Sequence, residues 1–415
     1  MPALYFLSLK PSPIPRESYL RLMPLHIWLG RLLVIISTAH GVLYLVYFFK
    51  MGKQQNILHF ANFAGVVITA GFVLTLLVSF YFIRHRNHEL FYKTHLAFSW
   101  LCLPLLAYHA RPRVWAVTIL LLVCIGGQLF QRHGFGQESR LQIQKISRHT
   151  IVVSLPRKLF PKYFEPGSHI RLSPTRESAP VWFLSASHPY TIASLSADED
   201  TVQLVVKPSR RFKLEEDREY IVHGPYPSLS YDFFVNMYKA DKPLRRTVII
   251  AGGVGISFAA PIAKTLIKMN ERVKIIWAVR SKADLGLIKI LGLEDADVFV
   301  SSNANDQSQD PFLQPVELQD TLPSSGFDAA DPQYVGEPIS DELGNEATEF
   351  GLKEGIKVTY GRLNIETELK EFKALADVDS GGMWVISCGS RRLVSECSKW
   401  GRRLGATVHE EVYDI

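Results

Sequence analysis

Long apolar runs are missing from roughly the last two thirds of this 415-residue chain. After Phe130 no stretch approaches the ~20 residues needed to cross a hydrocarbon core, so that part is expected to be soluble. Cysteines are few. Cys102, Cys124, Cys388 and Cys397 show neither C-x-x-C nor zinc-ligand spacing, which argues against a disulfide framework and a structural zinc site. Met1 is followed by no cleavable signal pattern. No G-x-S-x-G, H-E-x-x-H, P-loop or nucleic-acid signature occurs, which removes the usual hydrolase, metalloprotease, NTPase and nucleic-acid-binding readings. Positive charge is missing from one region: between Ile290 and Leu352 there is no Lys or Arg, but there are 14 Asp or Glu. Most of that region, about 303–350, also lacks periodicity and reads as a disordered acidic insertion in the last domain.

Four apolar runs are present before Phe130. They predict spans at about 27–49, 63–83, 90–110 and 114–130, with Arg31 and Lys93 as their only charges. Two of them carry histidines 14 residues apart, His26 with His40 and His95 with His109. Fourteen residues is close to four helical turns, so each pair faces one way and is separated by ~21 Å along the axis. Ionisable groups are costly inside a bilayer, which makes them functional candidates there. Two such helices side by side offer two histidine-to-histidine sites, one near each membrane face. Axial histidines on both sides of an iron hold haem for electron transfer, so the spacing predicts two stacked haem b groups. Lys10, Arg16 and Arg21, then Arg84, Arg86 and Lys93, then Arg132, Arg140, Lys145 and Arg148 fall on one side; only Lys50, Lys53, Arg111 and Arg113 fall on the other. The positive-inside rule puts the amino terminus and the soluble part in the cytosol.

From about Leu141 the pattern becomes β-rich. LQIQKI, TIVVSL, GSHIRLSP, TVQLVVKP and YIVHGPYP read as strands of a small antiparallel barrel. In SHPYTIAS, alternation puts His188 and Tyr190 on one face. An aromatic ring, a small hydroxyl (Thr191) and a hydrogen-bonding group from one strand suit a flavin. Gly224-Pro225-Tyr226 offers a second wall. From Arg245, strands alternate with helices, which indicates a parallel sheet. RTVIIAGG runs into AGGVGIS, where Gly252, Gly253 and Gly255 let backbone N–H groups approach a pyrophosphate at a helix start. The second strand ends in Val279-Arg280-Ser281-Lys282, with cations and no acid, which favours NADPH over NADH. Cys388-Gly389-Ser390 closes a strand at the edge where a nicotinamide would lie.

Together these residues resemble the ferric reductase and NADPH oxidase superfamily of transmembrane flavocytochromes, and within it the yeast metalloreductases of the "altered inheritance of mitochondria" group. The matching stretches are PLHIWLGR with His40-Gly41, FYKTHL with His109, YFEPGSHIRLSP, SHPYTIAS, GGVGISFAAP and SCGS. The resemblance implies a multi-domain chain: an α-helical membrane haem bundle, a ferredoxin-reductase-like β-barrel FAD domain and an α/β parallel-sheet NADPH domain. On this chain these become a leader (1–25), a haem domain (26–131), an FAD domain (132–244) and an NADPH domain (245–415). The resemblance implies the inner haem on His26 and His95 and the outer on His40 and His109. It implies FAD contacts at His188, Pro189, Tyr190, Thr191, Ile192, Ala193, Ser194, Gly224, Tyr226 and the carboxyl-terminal aromatic Tyr413. NADPH contacts are implied at Gly252, Gly253, Val254, Gly255, Ile256, Ser257, Arg280, Ser281, Cys388 and Gly389, with Cys388 near the nicotinamide. Where the family has six spans this chain has four runs, and MPALYFLSLKPSP resembles the end of a missing one. The implied activity is NADPH-dependent reduction of ferric or cupric complexes by a multi-pass protein of the plasma membrane or endoplasmic reticulum. Two other functions share these residues: an NADPH oxidase making superoxide, and a truncated non-catalytic homologue or partner subunit.

Overall fold

An apolar backbone in lipid must satisfy its own hydrogen bonds, and the amino-terminal runs do so as helices. The computed structural model describes residues 2–8, 14, 19–112, 114–134, 136–175, 187–196, 200–209, 212–227, 233–234, 246–301, 357–374 and 382–413. The acidic stretch from 303 to 350 lies outside the described residues. The chain divides into two compact units, one dominated by the amino-terminal helices and one by the later sheets.

The helical part runs α1 (Pro2–Leu7), α2 (Tyr19–Lys50), α3 (Phe60–Val78), α4 (Tyr81–Arg86), α5 (His88–His109) and α6 (Trp115–Gly134). Leu22–Lys50 of α2, all of α3 and all of α5 are long and apolar enough to cross a membrane; α6 keeps that character only over Trp115–Gly127. Among the described residues three helices therefore qualify, and the described apolar part of α6 is shorter than that length. The fourth run lies in α6, which stays helical through Gly134. The second run ends early. Ser79 Oγ donates to Thr75 O (2.6 Å), Phe80 leaves the helical region, and Ile83 falls in α4. α3 packs closely on α5 because glycine makes room: a side chain at Gly71 would run into the ring of Phe98.

The later part begins with β1 (Gln137–Arg140), β2 (Gln142–Ser147), β3 (Thr150–Pro156), β4 (His169–Pro174), β5 (His188–Thr191), β6 (Thr201–Val206) and β7 (Glu219–Tyr226). They form two sheets, of order β1-β7-β4-β5 and β2-β3-β6. β2, β3 and β6 pair antiparallel, as do β4 and β5, the latter with Ile170 opposite Tyr190 and His169 opposite Thr191.

Six parallel strands follow: β8 (Arg246–Gly252), β9 (Arg272–Val279), β10 (Asp297–Val300), β11 (Val358–Tyr360), β12 (Met383–Gly389) and β13 (Thr407–Val412), in the order β11-β10-β9-β8-β12-β13. Their helices are α7 (Ile256–Lys268), α8 (Gly286–Leu291), α9 (Ile365–Ala374) and α10 (Arg391–Arg403). Parallel sheets are covered on both faces, which is why Val248–Ala251 of β8 is wholly apolar and wholly buried. The strand order reverses between β8 and β12, and ligands of such sheets bind beyond the carboxyl ends at that switch point.

Candidate functional site: two histidine pairs and a nucleotide crevice

The 14-residue spacing brings the histidines together in two places. His26 of α2 and His95 of α5 lie with ring centroids 6.2 Å apart; His40 and His109 lie 6.5 Å apart. A metal–imidazole bond of about 2 Å on each side of an iron separates ring centres by roughly 6 Å, so both pairs fit bis-histidine haem ligation. The hydrogen bonds fit as well. His26 Nδ1 is 3.0 Å from Leu4 O and His109 Nδ1 is 2.7 Å from Ala61 O. A carbonyl oxygen only accepts, so Nδ1 carries the proton in each ring and Nε2 keeps its lone pair for a metal. His95 Nδ1 is buried without a hydrogen-bond partner, and the ring of His40 lies against Tyr44 at 4.7 Å. Gly65 leaves the space that the His109 ring occupies: a Cβ there would lie 2.5 Å from Cε1.

The SHPYTIAS stretch divides. His188 stacks on Phe212 (centroids 4.1 Å, planes 18° apart), and Phe212 meets Tyr220 edge-on at 6.0 Å. Burial, then the neighbouring Tyr220, pushes the Tyr190 hydroxyl above the usual phenol range. Pro189 is exposed. Ile192 and Ala193 are fully buried, and Ser194 Oγ accepts from Gln203 N (3.1 Å), so these three side chains build the barrel wall. Thr191 Oγ1 lies 2.8 Å from the hydroxyl of Tyr413, whose backbone N–H donates to Gly389 O (2.8 Å). The strand and the carboxyl-terminal aromatic are thus tied together. Gly224 and Tyr226 lie in β7, Gly224 with φ +114°.

At the carboxyl ends of β8 and β12 the backbone segments nearly touch. A Cβ at Gly255 would sit 2.6 Å from Cys388 O, and one at Gly389 3.2 Å from Gly252 Cα. Gly253 (φ +52°) turns the chain into α7, whose first residue is Ile256, fully buried beside Val254. Trp277 Nε1 donates to Gly253 O (3.0 Å) and Ser257 Oγ to Val254 O (2.8 Å), fixing the loop. Arg280 is exposed at the end of β9; Ser281 Oγ accepts from Ala283 N (3.2 Å). The nearest acid after it, Asp284, is buried and accepts from Ser147 Oγ (2.7 Å). Cys388 lies on this edge, but its thiol points into the core, donates to Ile250 O (3.7 Å) and is pushed well above its usual range by burial. Its neighbour in β13, Glu411, is pushed up to about 7 by burial, and Glu411 Oε2 has no hydrogen-bond partner.

Sequence patterns did not point to Leu4, Ala61, Gly65, Phe212 or Glu411. Backbone carbonyls and missing side chains leave no motif, and Phe212 is 24 positions from the ring it stacks on. Among the described residues no group of three or more His, Cys, Asp or Glu could hold a metal ion.

Known proteins align with this division. Residues 1–106 match the ferric reductase like transmembrane component, 137–238 an FAD-binding domain and 245–400 the ferric reductase NAD binding domain. A protein called "Probable metalloreductase AIM14" from Yarrowia lipolytica is 37% identical over 75% of this chain and 58% of its own length. Proteins of the same name from Scheffersomyces stipitis (31%, 100% of this chain and 79% of theirs) and Meyerozyma guilliermondii (32%, 97% and 78%) align more fully. Among solved structures, an Amycolatopsis cytochrome P450 reductase matches 67% of this chain and 69% of its own at 15% identity and a TM-score of 0.40. A Malassezia yamatoensis flavohemoglobin matches 100% of this chain and 93% of its own at 11% and 0.42. With a ferric reductase like transmembrane segment, an FAD-binding segment and a ferric reductase NAD-binding segment in succession, and 31% identity to a relative of which it covers 79%, the chain belongs to the ferric reductase-like family.

Proposed function

We propose that this chain is a transmembrane NADPH-dependent metalloreductase that passes electrons to ferric or cupric complexes. The observation that carries the reading is the meeting of α2 and α5 histidines at both ends of a 14-residue interval, ring to ring at 6.2 and 6.5 Å. When bound, NADPH would supply hydride donation, FAD hydride acceptance and two haem b groups single-electron transfer. The protein's own residues position them. His26 with His95, and His40 with His109, would hold the two irons, with the Leu4 and Ala61 carbonyls keeping His26 and His109 in the tautomer that leaves Nε2 free to ligate. His188, Tyr190 and Phe212 form the aromatic wall for a flavin, while Thr191 and Tyr413 close its other side. Gly252, Gly253 and Gly255 admit a pyrophosphate to the start of α7, and exposed Arg280 suits a 2′-phosphate. No side chain need donate or take a proton on the metal acceptor. The domain bounds proposed are those read from the sequence, and the excess of Lys and Arg beside the soluble part supports a cytosolic reductase.

The test is the absorbance spectrum of the detergent-solubilised chain with and without NADPH, under nitrogen and then with a ferric chelate or dioxygen. Haem and flavin bands that reduce with NADPH and reoxidise with the chelate are expected. Reoxidation by dioxygen alone, with superoxide formed, would assign the oxidase function, and a chain purified without haem or flavin would assign a non-catalytic role. His95→Ala should stop electron flow at the flavin. Full haem content in a His40→Ala, His95→Ala double variant would sink the ligand assignment.

A further inference from the structure

The two histidine pairs are supported by different elements. At the outer pair the support is α3: Ala61 O takes the His109 Nδ1 proton, and Gly65 leaves room for the ring. At the inner pair the carbonyl is that of Leu4, on the short α1, which packs on α2 and α6. The next residue reaches the other ligand helix. Tyr5 OH donates to Ser99 O (2.5 Å), and Ser99 Oγ donates to His95 O (2.6 Å), so the chain of bonds ends on the turn that begins at His95. The Tyr5 ring packs against the buried cluster of Leu103, Leu121 and Ile125.

From this we infer that α1 is the positioning element of the inner haem site: Leu4 sets the tautomer and rotation of His26, while Tyr5 holds the His95 turn of α5. The inference rests on the haem reading above. Two consecutive residues thereby touch both ligand helices. A carbonyl on the distal ring nitrogen fixes the ligand's orientation and raises its basicity, and losing such a partner typically weakens metal binding about 10–100-fold. A leader with no role in the bundle would have no reason to bury a tyrosine on one ligand helix and a carbonyl on the other.

The test uses the full chain in detergent. Parent, Tyr5→Phe and a chain lacking residues 2–7 are compared for haem per chain, the low-spin electron paramagnetic resonance signal of each haem, and each midpoint potential; His95→Ala assigns the inner signal. The deletion should retain one haem, with the outer signal of the parent. Tyr5→Phe should keep both haems and shift only the inner signal and potential. Gly65→Ala should do the reverse, disturbing the outer signal alone. Unchanged inner signals in both α1 variants would overturn the inference. If the deletion loses both haems through misfolding, Tyr5→Phe decides. A parent chain without haem would instead overturn the haem reading itself.

Discussion

Leu43 and Trp277 are both large and apolar, yet Leu43 of α2 is 69% exposed while Trp277 of β9 is 1% exposed. The contrast holds across the molecule. Trp28, Ile35, Leu43, Phe49, Ile119 and Val123 lie open on the helices; Ile249, Ile250, Phe258, Ile276 and Trp277 are sealed inside the parallel sheet and its helices. Water would not tolerate the first set as one continuous patch, whereas lipid tails would. The two regions therefore draw stability from different sources. In the sheet, burying each large side chain contributes roughly 1.5–3 kcal/mol. In the bundle, where lipid is as apolar as leucine, association depends on close backbone approach at small residues, which is the work of Gly65 and Gly71.

The sharpest way to break this comparison is at its buried extreme. Trp277→Ala removes a core side chain and the hydrogen bond to Gly253 O, and should cost about 3–5 kcal/mol, read as a fall in the thermal midpoint with loss of nucleotide binding. Next comes Glu411. Its carboxyl titrates at about 7 when folded and at the ordinary 4.5 when unfolded, so the folded chain holds an extra proton between those values. That stability is complete below about pH 4.5 and is lost as pH rises through 7, by no more than about 3 kcal/mol. Glu411→Gln should therefore match the parent's thermal midpoint at pH 5 and exceed it at pH 8; equal pH slopes would contradict the assignment. Arg280→Ala should weaken NADPH binding by about 1.5–3 kcal/mol and NADH hardly at all, measured by calorimetry; equal losses would show that Arg280 does not read the 2′-phosphate. The smallest effect belongs to the lipid-facing extreme. Leu43→Ala should change the midpoint in detergent by less than about 0.5 kcal/mol equivalent, and a loss as large as that of Trp277→Ala would mean that α2 is buried by protein.

What could be read in advance follows from how each feature is written. Histidines at a fixed spacing in charge-poor runs mark themselves, and both pairs meet in the fold. The runs of β8, β9 and β12 are long and apolar enough to be read as strands. β10 and β11, with four and three residues, are too short to show a period. α10 is the opposite case: its buried Val394, Cys397, Ser398 and Gly401 follow helical spacing and charged residues fill the other face, so its amphipathic period is plain in the sequence. Hydropathy continues through Phe80–Ile83, past the end of α3 at Val78, and composition cannot register the backbone break at Phe80. Main-chain carbonyls such as those of Leu4 and Ala61 exist at every position, so only the fold can show which ones meet a histidine.

The parallel pairing of β10 with β11 sets a lower limit on any attempt to trim the acidic stretch. Val300 ends one strand at the carboxyl edge of the sheet, and Val358 starts its neighbour at the opposite edge. A connection between adjacent parallel strands must travel back along the full strand length, and such crossovers take a dozen or more residues. Removing 303–349 would leave only residues 301–302 and 350–357 to make that return, which is just under the limit. A shortened chain that keeps about a dozen residues there separates two effects that the longer excision would confuse: loss of acidic sequence and a tether too short to close the sheet.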